Sequence, residues 1–243
     1  MDGPLTEAIE AAQADLRRRG DPVKAEGRKR YLKSRLEVLG CGVPDVRRAA
    51  RSVKRRVPEA DAALLIGGLA ALRSSPCHDD RLLAIFIAQQ FAGGFRHAHL
   101  TDVFHGWLGE LSNWDTVDAL SIFVIGRVAL DDAESWPAIA AWTRDPWMWR
   151  RRASLLAHIP SIRAAGLREA QLTDSCQALL HETEFFIRKA IGWVIREIAD
   201  RDPAQAERLI LELGSGLSAL SFKEASRKLP GETQLRLRTA LSR

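Results

Sequence analysis

The stretch Asn113-Trp114-Asp115-Thr116-Val117-Asp118 sets an indole and a carboxylate four residues apart. On a helix, that spacing stacks Trp114 and Asp118 one turn apart on one face, and Ser121 extends it. An aromatic ring beside a carboxylate can hold a cation or a developing positive charge. The same spacing also serves a plain amphipathic helix with a tryptophan at its rim and an acid near its start, where the dipole favours one. A second candidate runs from Glu184 to Ile198. There Ile187, Ile191, Val194 and Ile198 recur at helical spacing and form a core stripe, which leaves Trp193 about 120° away from it. Lys189 and Arg196 flank Trp193. The indole either lines a groove where the cations meet phosphate or packs against a neighbouring helix pair. The third candidate is Trp149-Arg150-Arg151-Arg152-Ala153. Three adjacent arginines on a helix point in three directions, so one or two can face a ligand. Pro146 suits a first helical position. The arginines then fall in early turns, where the dipole disfavours cations and a bound anion would offset that cost.

Helices must carry these groups. Val117, Leu120, Val124 and Val128 form a core stripe through the Trp114–Asp118 segment. Asn113, Thr183 and Ser218 are suited to cap the helices that follow them. Gly/Pro/Ser punctuation falls at Gly20-Asp21-Pro22, Gly40 to Pro44, Pro58, Ser74-Ser75-Pro76, Gly93-Gly94, Ser112-Asn113, Asp145-Pro146, Pro160, Pro203, Gly214 to Gly216 and Pro230-Gly231, with a further break at Asp131-Asp132. No run alternates as a strand does, and no hairpin turn lies between β-branched runs. Helix pairs recur at solenoid-repeat spacing. The fold expected is therefore all-α, either a degenerate HEAT-like helical repeat solenoid with a concave binding face or a plain helical bundle. Nothing in composition divides the chain, so residues 1–243 read as one domain.

The 243 residues carry a formal net charge of +5, but unevenly. Arg17 to Arg56 holds 15 lysines and arginines against four acids, a net +11, and the rest of the chain is −6. Such a block suits a surface that tracks phosphates, and equally a solvated helix face. A hydrophobic fraction of 46% argues against disorder. No apolar run reaches the length of a membrane span, and Met1 to Arg19 does not read as a secretory signal. Three cysteines, Cys41, Cys77 and Cys176, exclude a disulfide scaffold and read as small buried hydrophobes in a cytoplasmic protein. No metal is expected, because His97 and His99 fall on different helix faces and no cysteine pair has ligand spacing. No cofactor fingerprint is present.

Taken together, Asn113 to Asp118, Trp149 to Ala153 and Phe185-Phe-Ile-Arg-Lys-Ala-Ile-Gly-Trp-Val-Ile-Arg-Glu197 resemble the AlkD-like DNA alkylation repair family of HEAT-like repeat DNA glycosylases. Lys24 to Lys33, Leu39-Gly40, Pro44 to Arg47 and Leu217 to Ala225 extend the likeness over nearly the whole chain. The resemblance implies excision of N3- and N7-alkylated purines, of the 3-methyladenine and 7-methylguanine type, from duplex DNA by hydrolysis of the N-glycosidic bond. It implies Asp118 as the catalytic carboxylate, with Trp114, Arg152 and Trp193 beside it, and DNA contacts at Tyr31, Arg47, Lys189, Arg196 and Lys223. Asn113 stands where some members carry a second tryptophan, and Gly40-Cys41-Gly42-Val43 is plainer than the polar loop that others set against DNA. The implied site grips the backbone, so the lesion can stay stacked. A monomer acting on double-stranded DNA is expected, with no membrane partner. The alternatives are a non-catalytic relative that binds damaged or branched DNA, and a helical-repeat scaffold for other proteins.

Overall fold

Proline and aspartate set many of the helix starts. Asp21 caps the second helix by accepting from the Val23 and Lys24 amides, Pro22 takes its first position, and Asp202 with Pro203 repeats the device far along the chain. The computed structural model describes residues 3–241. In order, the helices are α1 (Pro4–Arg19), α2 (Pro22–Leu32), α3 (Val43–Arg56), α4 (Ala62–Gly68), α5 (Ala70–Ser74), α6 (His78–Gln90), α7 (His105–Glu110), α8 (Trp114–Leu120) and α9 (Gly126–Asp131). They continue as α10 (Ser135–Ala141), α11 (Met148–Leu156), α12 (Ile159–Arg163), α13 (Glu169–Ala178), α14 (Phe185–Ala199), α15 (Pro203–Leu213), α16 (Ala219–Ala225) and α17 (Gly231–Leu241). Among the described residues the only strand-like pairing is an isolated bridge between Glu37 and Cys77. The fold is all-α and built of helical repeats.

The helices form two compact units that divide between Val128 and Ala129. In the first, α1, α3, α6 and α8 pack in sequence as one row, α4 and α5 lie against it, and α7 packs on α5. Its centre is α6, whose Leu82 to Ala88 are all buried. In the second, α11, α14 and α16 form one row, and α13, α15 and α17 form another against it. Gly192 permits the close approach of α14 and α16, because a Cβ there would lie 2.5 Å from the Cβ of Glu224 and 2.6 Å from the Ser221 carbonyl. The helix α2 is different: it buries only Leu32, and Val23 and Tyr31 are 84% and 73% exposed.

Both expected core stripes are buried, Val117/Leu120/Val124/Val128 in the first unit and Ile187/Ile191/Val194/Ile198 in the second. Several local expectations are corrected. Thr183 does not cap α14; Glu184 takes the N-cap position and its side chain accepts no capping bond. Pro146 is not the first residue of α11, which starts at Met148. Instead the Asp145 carboxylate takes the Trp147 amide at 2.7 Å and turns the chain before the helix begins. Pro160 lies inside α12, near its start, and the break falls just before it. His97 sits in a turn ahead of the helix that holds His99. The three cysteines are free and buried, and burial pushes their thiols up to about 11, 11 and 12 for Cys41, Cys77 and Cys176.

Candidate nucleic-acid interface and active site

In the first unit, the site grows from the start of α8. Asn113 caps that helix through its Oδ1, which accepts from the Asp115 amide at 2.9 Å. Its Nδ2 donates to the Leu32 carbonyl at 2.6 Å, tying the end of α2 to the start of α8. This places the Tyr31 ring edge-on to Trp114, with centroids 5.6 Å apart and planes at 89°. Asp118 follows one turn later, with 8% of its surface exposed. Directly after it the backbone widens into a π-turn over Ser121–Ile125 before α9 begins. Such turns recur at functional positions in helices. The Ser121 hydroxyl donates to the Val117 carbonyl at 2.6 Å, so this side chain is spent on the helix itself.

A polar network absent from the sequence reading holds these helices together. Asp79 at the start of α6 accepts from Arg28 at 2.9 Å and from the Leu39 amide at 2.8 Å. His78 Nε2 donates to Asp115 at 3.0 Å, and Arg28 lies 3.8 Å from the same carboxylate. Arg17 pairs with Asp80 at 3.1 Å. The three buried residues His78, Asp79 and Asp80 therefore fasten α1 and α2, and the chain after α2, to the core. Acids in the first turn of α6 also suit its dipole. The one signal in the sequence is the acidic pair Asp79-Asp80, just after the break at Ser74-Ser75-Pro76.

The basic block divides into ion-paired cations, two that lie over aromatic rings, and free ones; of the ring-bound pair, Lys54 lies 3.9 Å from the Phe91 ring centroid and donates to the Pro58 carbonyl. Arg17, Arg18, Arg19, Lys24, Arg28 and Arg48 have carboxylate partners. Arg47 lies over the Phe86 and Phe123 rings, 4.2 and 4.5 Å from their centroids, and donates to Gln89 at 3.0 Å. Burial, and then Arg51 nearby, lower its pKa from the usual value. Lys29, Arg30, Lys33, Arg35, Arg51, Arg55 and Arg56 are exposed, with no ion pair among the described residues. These seven present the charge of the block to solvent.

In the second unit, Arg152 on α11 is 3% exposed and donates to the Phe186 carbonyl. Its guanidinium lies 5.7 Å from the Phe186 ring and 6.0 Å from Trp193. The two arginines before it are committed elsewhere: Arg150 to Asp145 at 3.2 Å and Arg151 to Glu182 at 2.5 Å. The Trp193 indole donates to Glu197 at 2.8 Å, and Arg163 pairs with the same carboxylate. Burial pushes Glu197 up, but the bonds from Arg163 and Trp193 outweigh it and hold the carboxyl below its usual range. Lys189 and Arg196 converge on the buried Glu224, Lys189 at 3.2 Å, with Arg227 at 3.8 Å. Glu224 gives no signal in the sequence, because Lys189, one of its partners from α14, lies 35 residues away. Lys223, its neighbour on α16, is exposed.

The structure thus brings Tyr31 to Trp114 in one unit and Arg152 to Trp193 in the other, and it joins Lys189 to Arg196 through Glu224. A carboxylate one turn from an indole can stabilise positive charge, and a buried guanidinium between aromatic rings can hold an anion.

Solved structures of other proteins share this fold, two of them with the following similarity. A predicted DNA alkylation repair enzyme from Enterococcus faecalis superposes with a TM-score of 0.77 at 23% identity, covering 87% of this chain and 97% of that one. The alkylpurine DNA glycosylase AlkC of Pseudomonas fluorescens, bound to DNA containing an abasic site analog, gives 0.51 at 15% identity, covering 96% of this chain and 66% of that one. Comparison with curated proteins finds no match. The sequence model of the DNA alkylation repair enzyme family matches residues 12–229. Spanning most of the chain, that match shows that the protein belongs to the DNA alkylation repair enzyme family.

Proposed function

We propose that this protein is a DNA glycosylase that removes N3- and N7-alkylated purines from duplex DNA by hydrolysing the N-glycosidic bond. The observation that carries the reading is the start of α8, where Tyr31 buttresses Trp114 and a nearly buried Asp118 follows one turn on, in a member of this family. An alkylated purine of this kind is cationic, so its glycosidic bond is already weakened. As the base departs as a neutral molecule, the sugar becomes oxocarbenium-like, and a carboxylate offsets that charge as in sugar hydrolases. Asp118 stabilises the sugar cation and orients the attacking water. Trp114 and Trp193 lie along the sugar and backbone and attract the cationic lesion through their faces. Arg152 holds a phosphate next to the lesion. Residues 1–243 act as one functional domain, a monomer working on cytoplasmic DNA, with Arg47, Lys189, Arg196 and Lys223 contributing charge toward the duplex.

The test is release of 7-methylguanine and 3-methyladenine from alkylated duplex under single-turnover conditions. Wild type is expected to release both. Asp118→Asn is expected to lose roughly 10²–10³ in rate with duplex affinity nearly unchanged. A wild-type protein that releases neither base, or a variant that matches the wild-type rate, overturns the reading.

A further inference from the structure

Beside the Tyr31–Trp114 contact, but separate from it, a cavity of about 310 Å³ opens in the first unit. Its walls include Lys33, Arg35 and Arg81, the hydroxyl residues Ser34 and Ser112, and the capping residue Asn113. No carboxylate lines it. Elsewhere in this unit several arginines meet a carboxylate, Arg17 at Asp80, Arg28 at Asp79 and Arg73 at Glu110. Among the described residues none of Lys33, Arg35 and Arg81 has a carboxylate partner. Arg81 is fixed in place by two carbonyls: its Nε donates to Ser75 at 2.7 Å and its Nη1 to Glu110 at 3.1 Å. Its Nη2 remains for a ligand.

A second observation points the same way. Lys33 follows the last turn of α2 in the left-handed conformation, with φ 50° and ψ 37°. Glycine is the usual residue at such a helix end, because a Cβ is disfavoured there. Here the position carries a lysine, and that lysine borders the cavity.

We propose that this cavity is an anion site that takes a phosphate group, supplied by a phosphodiester of the bound duplex. Three bordering cations, with the Ser34, Ser112 and Thr116 hydroxyls, match the charge and acceptor oxygens of a phosphate, and the volume lies at the lower end of the range for ligand sites. Taking the phosphate from a duplex rests on the DNA-binding reading above; the anion site itself does not.

The test has two arms, each run on wild type, Arg35→Gln, Lys33→Gly and the double variant. Glycine suits the backbone at residue 33, so Lys33→Gly removes the charge without straining the fold, and Arg35 is an exposed side chain. In the first arm, affinity for undamaged duplex DNA is measured against salt. A phosphate lost from the interface lowers the steepness of log K against log salt by about 0.9, and that decrease is expected in the double variant. In the second arm, thermal stabilisation by inorganic phosphate is compared with chloride at matched ionic strength. Wild type is expected to gain more stability than the double variant. A phosphate response confined to wild type with coincident salt slopes still supports an anion site, but assigns it to free phosphate. Coincident slopes together with equal phosphate responses overturn the proposal. A wild type that binds no duplex DNA overturns the functional reading instead, and the phosphate arm then decides the cavity alone.

Discussion

The side-chain amide of Asn113 spans two helices at once, accepting from the Asp115 amide at the start of α8 and donating to the Leu32 carbonyl at the end of α2. One residue therefore sets both the direction of the helix that carries Trp114 and the position of the helix that carries Tyr31.

Replacing Asn113 with alanine removes both bonds. Loss of the cap costs about 1 kcal/mol, and the orphaned Leu32 carbonyl adds about 1 kcal/mol or more. The expected result is a melting temperature lower by several degrees and tryptophan emission altered by loosening of the Tyr31–Trp114 contact. Asn113→Asp keeps the cap but sets a carboxylate oxygen against the Leu32 carbonyl, so it is expected to recover only the cap's share of the stability while still disturbing Trp114. Thermal melts read with fluorescence separate the two effects.

Arg152→Ala is expected to weaken duplex binding and slow excision together, each by roughly tenfold to a hundredfold, the scale of a charge-assisted hydrogen bond. The guanidinium lies near two rings and donates to the Phe186 carbonyl, so Arg152→Lys is expected to restore little of either. Affinity and single-turnover rate, measured on the same lesion duplex, check this.

Gly192→Ala reverses the ordinary sign of a helix substitution. Alanine normally stabilises a helix interior by nearly 1 kcal/mol over glycine. At 192 its Cβ would collide with the Glu224 Cβ and the Ser221 carbonyl, so α14 and α16 must part. Overpacking of this kind costs about 1–3 kcal/mol, and the melting temperature is expected to fall by a few degrees for each kcal/mol. The shift also strains the pairing of Lys189 and Arg196 with Glu224. Differential scanning calorimetry would register a rise in melting temperature if the helices had room.

His158 makes folding sensitive to acid. It is buried against Trp136, with ring centroids 4.4 Å apart, and both ring nitrogens lack a hydrogen-bond partner. Burial lowers its pKa from 6.5 to about 3. Below pH 6.5 the unfolded chain takes up a proton that the folded chain refuses until about pH 3, so stability falls as the pH drops through that window. The contribution approaches about 1.4 kcal/mol per pH unit. His158→Phe keeps a ring against Trp136 and removes the titration. Between pH 7 and pH 5 the wild type is expected to lose about 2 kcal/mol more than the variant in urea unfolding.

The sequence made the helices legible because their apolar spacing is regular: both four-residue core stripes are buried where they were expected. The caps at Asn113 and Ser218 were legible because each pairs a short polar side chain with a free amide two or three residues on. The start at 184 was legible within a residue, though its cap was not, and the break at 164–168 was not legible at all. There Ala165 takes the left-handed conformation, φ 57°, with no glycine at that position to announce it. The π-turn after Leu120 leaves no mark, since the stripe residues Val117, Leu120, Val124 and Val128 stay buried through it. Within the candidate site, the aromatic and acidic residues stood out by type, but their supports did not. Arg28 and Asp79 lie 51 residues apart, and Leu32 and Asn113 lie 81 apart, so only folding shows that they meet.

The sparse burial of α2 has a consequence for how the first unit opens. Leu32 is its only buried side chain, and beyond the Tyr31–Trp114 ring contact its hold is polar: Arg28 on Asp79 and on the Cys41 carbonyl, and the Leu32 carbonyl on Asn113. A segment fastened this way detaches at a smaller free energy than the rows of packed helices beneath it. Its amides should therefore exchange with deuterium well ahead of those in α6. The helix that presents Tyr31 to Trp114 is then also the part of the unit that can release and reseat while the core stays folded.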